Sequence, residues 1–244
     1  MAMIRLGVTG TDTGVGKTTL CSALAVLLRT RGLRVEAMKP VETGIAPNDI
    51  RTDARCLRAA AHSTAPMADV GPMALDEPLA PWMAARRAGR PLTLPLLDAA
   101  FEQLERRSDA IVVEGAGGVL VPITLTENFL TLFTRWRLDV IIVAANRLGA
   151  INHTLLTVRA VCGAGLRLRG VVLNDLEPGP PDVARATNHE ALCELLAGTP
   201  VVSFPWLAAP DDEACVARAA RQSALAPLCN EQPNTEPIED DHYR

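Results

Sequence analysis

Six short apolar runs, at residues 4–9, 35–39, 110–114, 140–145, 170–173 and 200–204, alternate with longer segments of helical periodicity. Because these runs are apolar at successive positions instead of every second one, they suit strands covered on both faces in a parallel sheet. The helical candidates between them span 17–30, 49–61, 94–107, 128–135, 151–162, 182–196 and 211–224. Strand–helix–strand repetition implies right-handed crossovers and an α/β, doubly wound, mainly parallel sheet with helices on both faces. Ligands of such sheets bind beyond the carboxyl ends of the strands, where most Gly-rich and polar clusters of this chain fall. The Pro- and Ala-rich stretch 64–95 has no periodicity that places its path.

The first run leads into "GVTGTDTGVGKTT", residues 7–19. Its ending is that of a phosphate-binding loop, but Thr11 stands where the common spacing puts the first Gly, and Gly10 stands one place earlier. The loop is therefore one residue longer, with every phosphate-holding group retained. Gly10, Gly14 and Gly16 permit positive φ and close backbone approach, so that successive N–H groups converge on an anion. The helix opening at Lys17 adds its positive end. Thr13, Gly14, Val15, Gly16, Lys17, Thr18 and Thr19 form the candidate cradle, with the Thr18 hydroxyl offered to magnesium. Strand, loop and helix together specify the P-loop NTPase type of α/β fold.

Of 24 basic side chains only Lys17 and Lys39 are lysine, and both lie in candidate motifs, "GVGKT" and "MKPVETG". A compact ammonium fits between phosphate oxygens where a planar guanidinium is too wide. Glu114 ends the run "AIVVEG" at the crevice side of the sheet, where a magnesium–nucleotide site needs hard oxygen donors. Asp53 is a second carboxylate candidate, with helix capping as the equal alternative. Gly115, Ala116, Gly117 and Gly118 form a second candidate amide nest. In "RLGAINHTLLT", Asn152 and the amides from Gly149 to His153 are placed either to receive a small-molecule carboxylate or simply to open a helix. His62 and His189 have no ligand spacing.

The net charge of −4 gives no broad basic surface, which argues against a nucleic-acid partner. Apolar runs such as 140–145 fall far short of the roughly 20 residues a membrane span requires, so no membrane partner is expected. Six cysteines without Cys-x-x-Cys or ligand spacing, and no signal peptide, point to a reduced, cytoplasmic protein whose thiols are small apolar packers. A chain of 244 residues that is 48% hydrophobic suits one domain over 1–228, with 229–244 a mobile acidic tail.

The motifs "GTDTGVGKT", "KPVETG", "TDA", "VEGAGG", "LGAINHTLLT", "VVLND" and "PWL" follow in this order from about residue 4 to residue 207. Together they resemble the dethiobiotin synthetase family, whose phosphate loop has the longer spacing. The resemblance implies an ATP- and magnesium-dependent enzyme that joins CO2 to 7,8-diaminononanoate and closes the ring of dethiobiotin, through a carbamate and a carbamic-phosphoric anhydride. It implies that Lys17 reaches the β- and γ-phosphates, that Thr18, Asp53 and Glu114 hold magnesium, and that Lys39 is the active-site lysine. Thr43 resembles the substrate-binding hydroxyl residue, with Thr13, Gly118, Gly149 and Asn152 beside the substrate and Glu114, Gly115, Ala116 and Gly117 beside the nucleotide. Asn174, Asp175, Pro205, Trp206 and Leu207 correspond to the adenine-recognising part; Trp206 is either a stacking platform or a partly buried aromatic. The family further implies a homodimer with sites near its interface. Gly14 departs from the Glu of some members. The alternative is a nucleotide-switch ATPase of the cell-division and partition type, but those resemble one another in a second lysine early in the loop, where this chain has Thr11 and Asp12.

Overall fold

The computed structural model describes residues 3–46, 49 and 51–230. Strand β1 (Ile4–Gly10) leads through the glycine-rich loop into α1 (Lys17–Thr30), followed by β2 (Val35–Met38), β3 (Val41–Thr43) and α2 (Asp53–Ala60). Next come α3 (Met67–Val70), β4 (Met73–Leu75), α4 (Pro81–Arg87) and α5 (Leu94–Glu105). The chain continues through β5 (Ala110–Gly118), α6 (Phe129–Arg135), β6 (Asp139–Ala145), α7 (Ala150–Gly163) and β7 (Leu168–Asn174). It closes with α8 (Val183–Leu195), β8 (Val201–Phe204), α9 (Glu213–Gln222) and a 3-10 turn (Ala226–Cys229).

The main sheet has the order β2-β5-β1-β6-β7-β8, and every neighbouring pair is parallel. Period-two alternation divides its side chains between two cores. Ile111 and Val113 of β5 with Val140, Ile142 and Ala144 of β6 pack toward α5, α6, α7 and α8. Ala110 and Val112, with Leu6 and Val8 of β1 and Ile141 and Val143 of β6, pack toward α1, α2 and α9. Helices therefore cover both faces, as the apolar runs predict. Since β1 lies between β5 and β6, the glycine-rich loop emerges at a topological switch point.

The stretch 64–95 has a definite course. Strands β3 and β4 form a separate parallel pair, Val41 opposite Met73 and Thr43 opposite Leu75. Lys39 N donates to Val70 O at 2.7 Å, which fastens α3 to the end of β2. Strands of three residues are too short to reveal a period in the sequence. Three further expectations are corrected. The helix expected from residue 49 starts at Asp53, because Thr52 is its N-cap, its side chain accepting from Arg55 N. Residue 229 belongs to the folded body: Cys229 is buried, its carbonyl accepts from Arg31, and Arg169 binds the Leu228 carbonyl. The acidic tail beyond Asn230 lies outside the described residues. Among the cysteines, Cys21 and Cys229 are buried packers but Cys193 is exposed, on the outer side of α8 beside His189.

Arg34 and Asp109 align the starts of β2 and β5. Asp109 Oδ2 accepts from Arg34 N at 2.9 Å, and Oδ1 accepts from the guanidinium at 2.7 Å. The Arg34 hydrogen bonds hold the Asp109 carboxyl down from 3.8 to about 2. A depressed folded-state pKa means that the contribution is complete above the unfolded value and lost as pH falls through the folded one. In an NMR titration the Asp109 carboxyl is expected to titrate near 2, and Asp109→Asn to flatten the thermal-stability profile between about pH 4 and pH 2. A midpoint at the ordinary carboxylate value contradicts this.

Candidate active site

The loop after β1 is anchored to β6 and to one of its own side chains. Thr11 N donates to Val143 O at 2.9 Å, and Thr13 N donates to the Asp12 carboxylate at 2.7 Å. Gly16, at φ 89°, is the N-cap of α1, and a Cβ there would stand 2.0 Å from Asn174 Nδ2. That nitrogen donates to Val15 O at 2.9 Å, so the end of β7 is fastened to the floor of the loop. Lys17 is buried and arches back over the loop to donate to Asp12 O at 3.1 Å. Burial and, after it, the Lys39 charge push the Lys17 pKa down.

Four elements converge beside the loop. Thr18 Oγ1, in the first turn of α1, donates to Glu114 Oε1 at 3.0 Å. Lys39, just past β2, donates to the same oxygen at 2.5 Å and to Gly115 O at 3.3 Å. Its ammonium also lies 2.8 Å from Asp53 Oδ2 at the start of α2. Burial works against the Lys39 charge, but the Glu114 and Asp53 carboxylates outweigh it and hold the ammonium above its ordinary range. Burial pushes the Glu114 carboxyl up, countered by Lys39 and reinforced by Asp53. Asp53 is moved down: burial opposes its charge, and Lys39 more than compensates.

These groups face a cavity of about 730 Å³. Thr13, Gly14, Gly16, Lys17, Thr18 and Thr19 of the loop and α1 contribute to its lining. So do Lys39, Thr43, Asp53, Glu114, Ala116 and Gly117. Across the candidate amide nest at 115–118, β5 runs on to Gly118, which pairs with Gly10, and its register with β1 breaks between the Val8–Glu114 and Gly10–Gly118 pairs, so that 115–117 bulge beside the loop. Only Gly117, at φ 64°, leaves extended geometry. Val15, within the loop, and Asn174, bonded to its carbonyl, do not line the cavity. Asp175, Pro205, Trp206 and Leu207 lie outside its lining, as do Gly149, the N-cap of α7, and the exposed Asn152.

Sequence reasoning missed Glu42, Pro78, Leu79, Ala80, Pro81 and Val121, all of which line the cavity. The first belongs to a strand too short to recognise, and the next four to a stretch without periodicity. It also missed Asn146, whose Nδ2 donates to Asp175 Oδ1 at 2.9 Å while Arg185 Nε approaches the same oxygen at 3.3 Å.

Among the described residues no group of three or more His, Cys, Asp and Glu side chains is built to hold a metal. Magnesium on a nucleotide needs less: one or two carboxylates, with phosphate oxygens and waters completing the shell. Glu114 Oε2 is buried without a partner, beside the Thr18 hydroxyl and the Asp53 carboxylate. This oxygen-only donor set fits magnesium.

A parallel sheet with a glycine-rich loop at its switch point, a buried lysine at the head of the next helix and acidic groups beside it define a P-loop nucleotide-binding protein. A family model described as an AAA domain matches residues 5–214. The chain is 41% identical over 216 residues to the ATP-dependent dethiobiotin synthetase of Anaeromyxobacter dehalogenans (strain 2CP-1 / ATCC BAA-258), covering 88% of this chain and 93% of that one. It is 37% identical over 210 residues to that of Thermodesulfovibrio yellowstonii, covering 82% and 88%. It belongs to the dethiobiotin synthetase family. The septum site-determining protein MinD of Pyrococcus horikoshii, solved with Mg-ADP, shares the fold at TM-score 0.51 and 18% identity, covering 94% of this chain and 95% of that one.

Proposed function

We infer that this chain is an ATP-dependent dethiobiotin synthetase, acting on 7,8-diaminononanoate and CO2 as one catalytic unit that includes residue 229. The observation that carries the site assignment is the meeting of Lys17, Lys39, Thr18, Asp53 and Glu114 around one cavity beside the loop. A substrate amine adds to CO2 and loses a proton to give a carbamate. A carbamate oxygen then attacks the γ-phosphorus, the bond to ADP breaks, and a mixed anhydride forms. The second amine attacks the carbonyl carbon, phosphate leaves, and the cyclic urea closes. Each step builds or moves negative charge, so catalysis calls for fixed positive charge and orientation more than for a protein nucleophile.

Lys17 and the loop amides serve the triphosphate, and Lys39 serves the carbamate side. Thr18, Asp53 and Glu114 would hold magnesium, which when bound supplies positive charge against the phosphate oxygens. Thr43, Thr13 and Gly118 border the diamine, and Gly115, Ala116 and Gly117 the nucleotide. Asn174, Asp175 and the segment Pro205, Trp206 and Leu207 form the adenine end, with Asn174 fastened to the loop by Val15. Gly149 and Asn152 would receive the substrate carboxylate at a homodimer interface, supported by the exposed Leu148 and Leu156 beside them. A reduced, cytoplasmic setting agrees with cysteines that show no Cys-x-x-Cys or ligand spacing. Among the described residues, no helix is long and apolar enough to cross a membrane.

The test mixes the protein with magnesium-ATP, bicarbonate and 7,8-diaminononanoate and detects dethiobiotin by mass. Phosphate release that ignores the diamine favours the nucleotide-switch reading instead. Glu114→Gln keeps the shape but removes the charge. It is expected to raise the magnesium concentration for half-maximal turnover by at least the roughly 10-fold that follows loss of a metal's supporting groups. An unchanged magnesium requirement removes Glu114 from the ligand set.

A further inference from the structure

Glu42 is a buried carboxylate with no part in the chemistry described so far. It projects from β3 into the cavity wall. Its Oε1 accepts from the backbone N–H of Asp53 at 2.5 Å, and its Oε2 accepts from that of Ala54 at 3.3 Å. These are the first two amides of α2, which have no partner within their own helix. The local cap, Thr52, takes only the third, Arg55 N, at 3.3 Å. An acid from another strand therefore completes the cap of α2, where the helix dipole also favours negative charge.

That attachment fixes more than a helix end. Asp53 is the first residue of α2, and its carboxylate meets Lys39 at 2.8 Å. Asp53 and Glu114 come from different elements, separated by many loop residues, so their common focus depends on where α2 begins. We propose that Glu42 is a positioning residue for magnesium-nucleotide binding, holding the first turn of α2 so that Asp53 faces Thr18, Lys39 and Glu114. It acts through backbone amides and touches neither metal nor substrate. The proposal rests on the magnesium set of Thr18, Asp53 and Glu114 proposed above.

The test measures ATP affinity by calorimetry with and without Mg2+, in the absence of bicarbonate and diamine, so that it is independent of the product made. Glu42→Ala is expected to weaken the magnesium-dependent part of the affinity about 10-fold, within the range for loss of a residue that orients a metal ligand. Glu42→Gln falls between the two proteins, because its one remaining oxygen satisfies one amide and its NH2 group opposes the other. In an Asp53→Ala background, Glu42→Ala should change the affinity by no more than about 2-fold, since the residue through which it acts is gone. A general packing defect would weaken binding equally in both backgrounds, and that result overturns the proposal, as does full magnesium dependence in Glu42→Ala. Amide exchange in nucleotide-free protein supplies a second readout. At least one of the Asp53 and Ala54 amides should exchange faster in Glu42→Gln, which also serves if the alanine variant fails to fold; unchanged protection of both overturns the proposal. If Asp53→Ala alone leaves magnesium dependence intact, the metal set itself is wrong, whatever the exchange of α2 shows.

Discussion

Lys39→Ala is expected to lower dethiobiotin formation by about 10²- to 10³-fold, the cost of removing one preorganised donor to a developing anion. ATP binding should persist, because Lys17 and the loop amides remain. The substitution has a second consequence. Lys39 is the cation between Glu114 and Asp53, 2.5 and 2.8 Å away. Without it two carboxylates face each other, one of them fully buried, and breaking a buried pair in this way costs about 3–5 kcal/mol. Magnesium would supply the missing charge, so the variant should melt lower than its parent in chelator and recover much of the difference in Mg2+. Turnover within a few-fold of the parent would refute the catalytic role. Equal melting temperatures in chelator would refute the electrostatic one.

Gly16→Ala carries the second large effect. At φ 89° any side chain is strained, by roughly 1–2 kcal/mol. The added methyl would also stand 2.0 Å from Asn174 Nδ2, which is backed by its hydrogen bond to Val15 O. Expelling Asn174 leaves buried polar groups unpaired, at about 1–3 kcal/mol. The loop is where both costs fall. ATP affinity should therefore drop by at least about 10-fold, the equivalent of 1.4 kcal/mol, and the variant should also melt lower, because unfolding relieves both costs. Gly14→Ala provides the contrast: it too has a positive φ, 74°, but a Cβ there meets nothing within 4 Å. Its loss should be the smaller. Equal effects at the two positions would show that backbone strain alone governs the loop.

Much of the site was legible because its chemistry is local. Gly14, Gly16, Lys17 and Thr18 are neighbours in the chain, and their types and order state their purpose without reference to anything distant. Glu114 was legible from its place at the end of an apolar run, since a doubly wound sheet delivers strand ends to one crevice. Asp53 was not decided by its surroundings in sequence, where a cap and a ligand look alike. The fold sets its carboxylate against Lys39 and gives the capping of α2 to Thr52 and Glu42. The run of glycines after Glu114 is another place where local pattern stops short: the register with β1 breaks between the Val8–Glu114 and Gly10–Gly118 pairs, and Gly117 takes a positive φ.

By itself the sequence determined the strand and helix alternation, the long phosphate loop and the family. Each of these is written in patterns spanning only a few residues, whose physics is that of backbone geometry and burial. The tertiary structure alone decided that β3 and the 78–81 segment would help to wall the cavity, that Lys39 would sit between two acids, and that Glu42 would hold the start of α2. Those outcomes depend on pairings between residues far apart in the chain, such as Val41 with Met73 and Lys39 with Glu114. Such pairings are settled by chain closure and packing, which leave no local mark on the residues that take part.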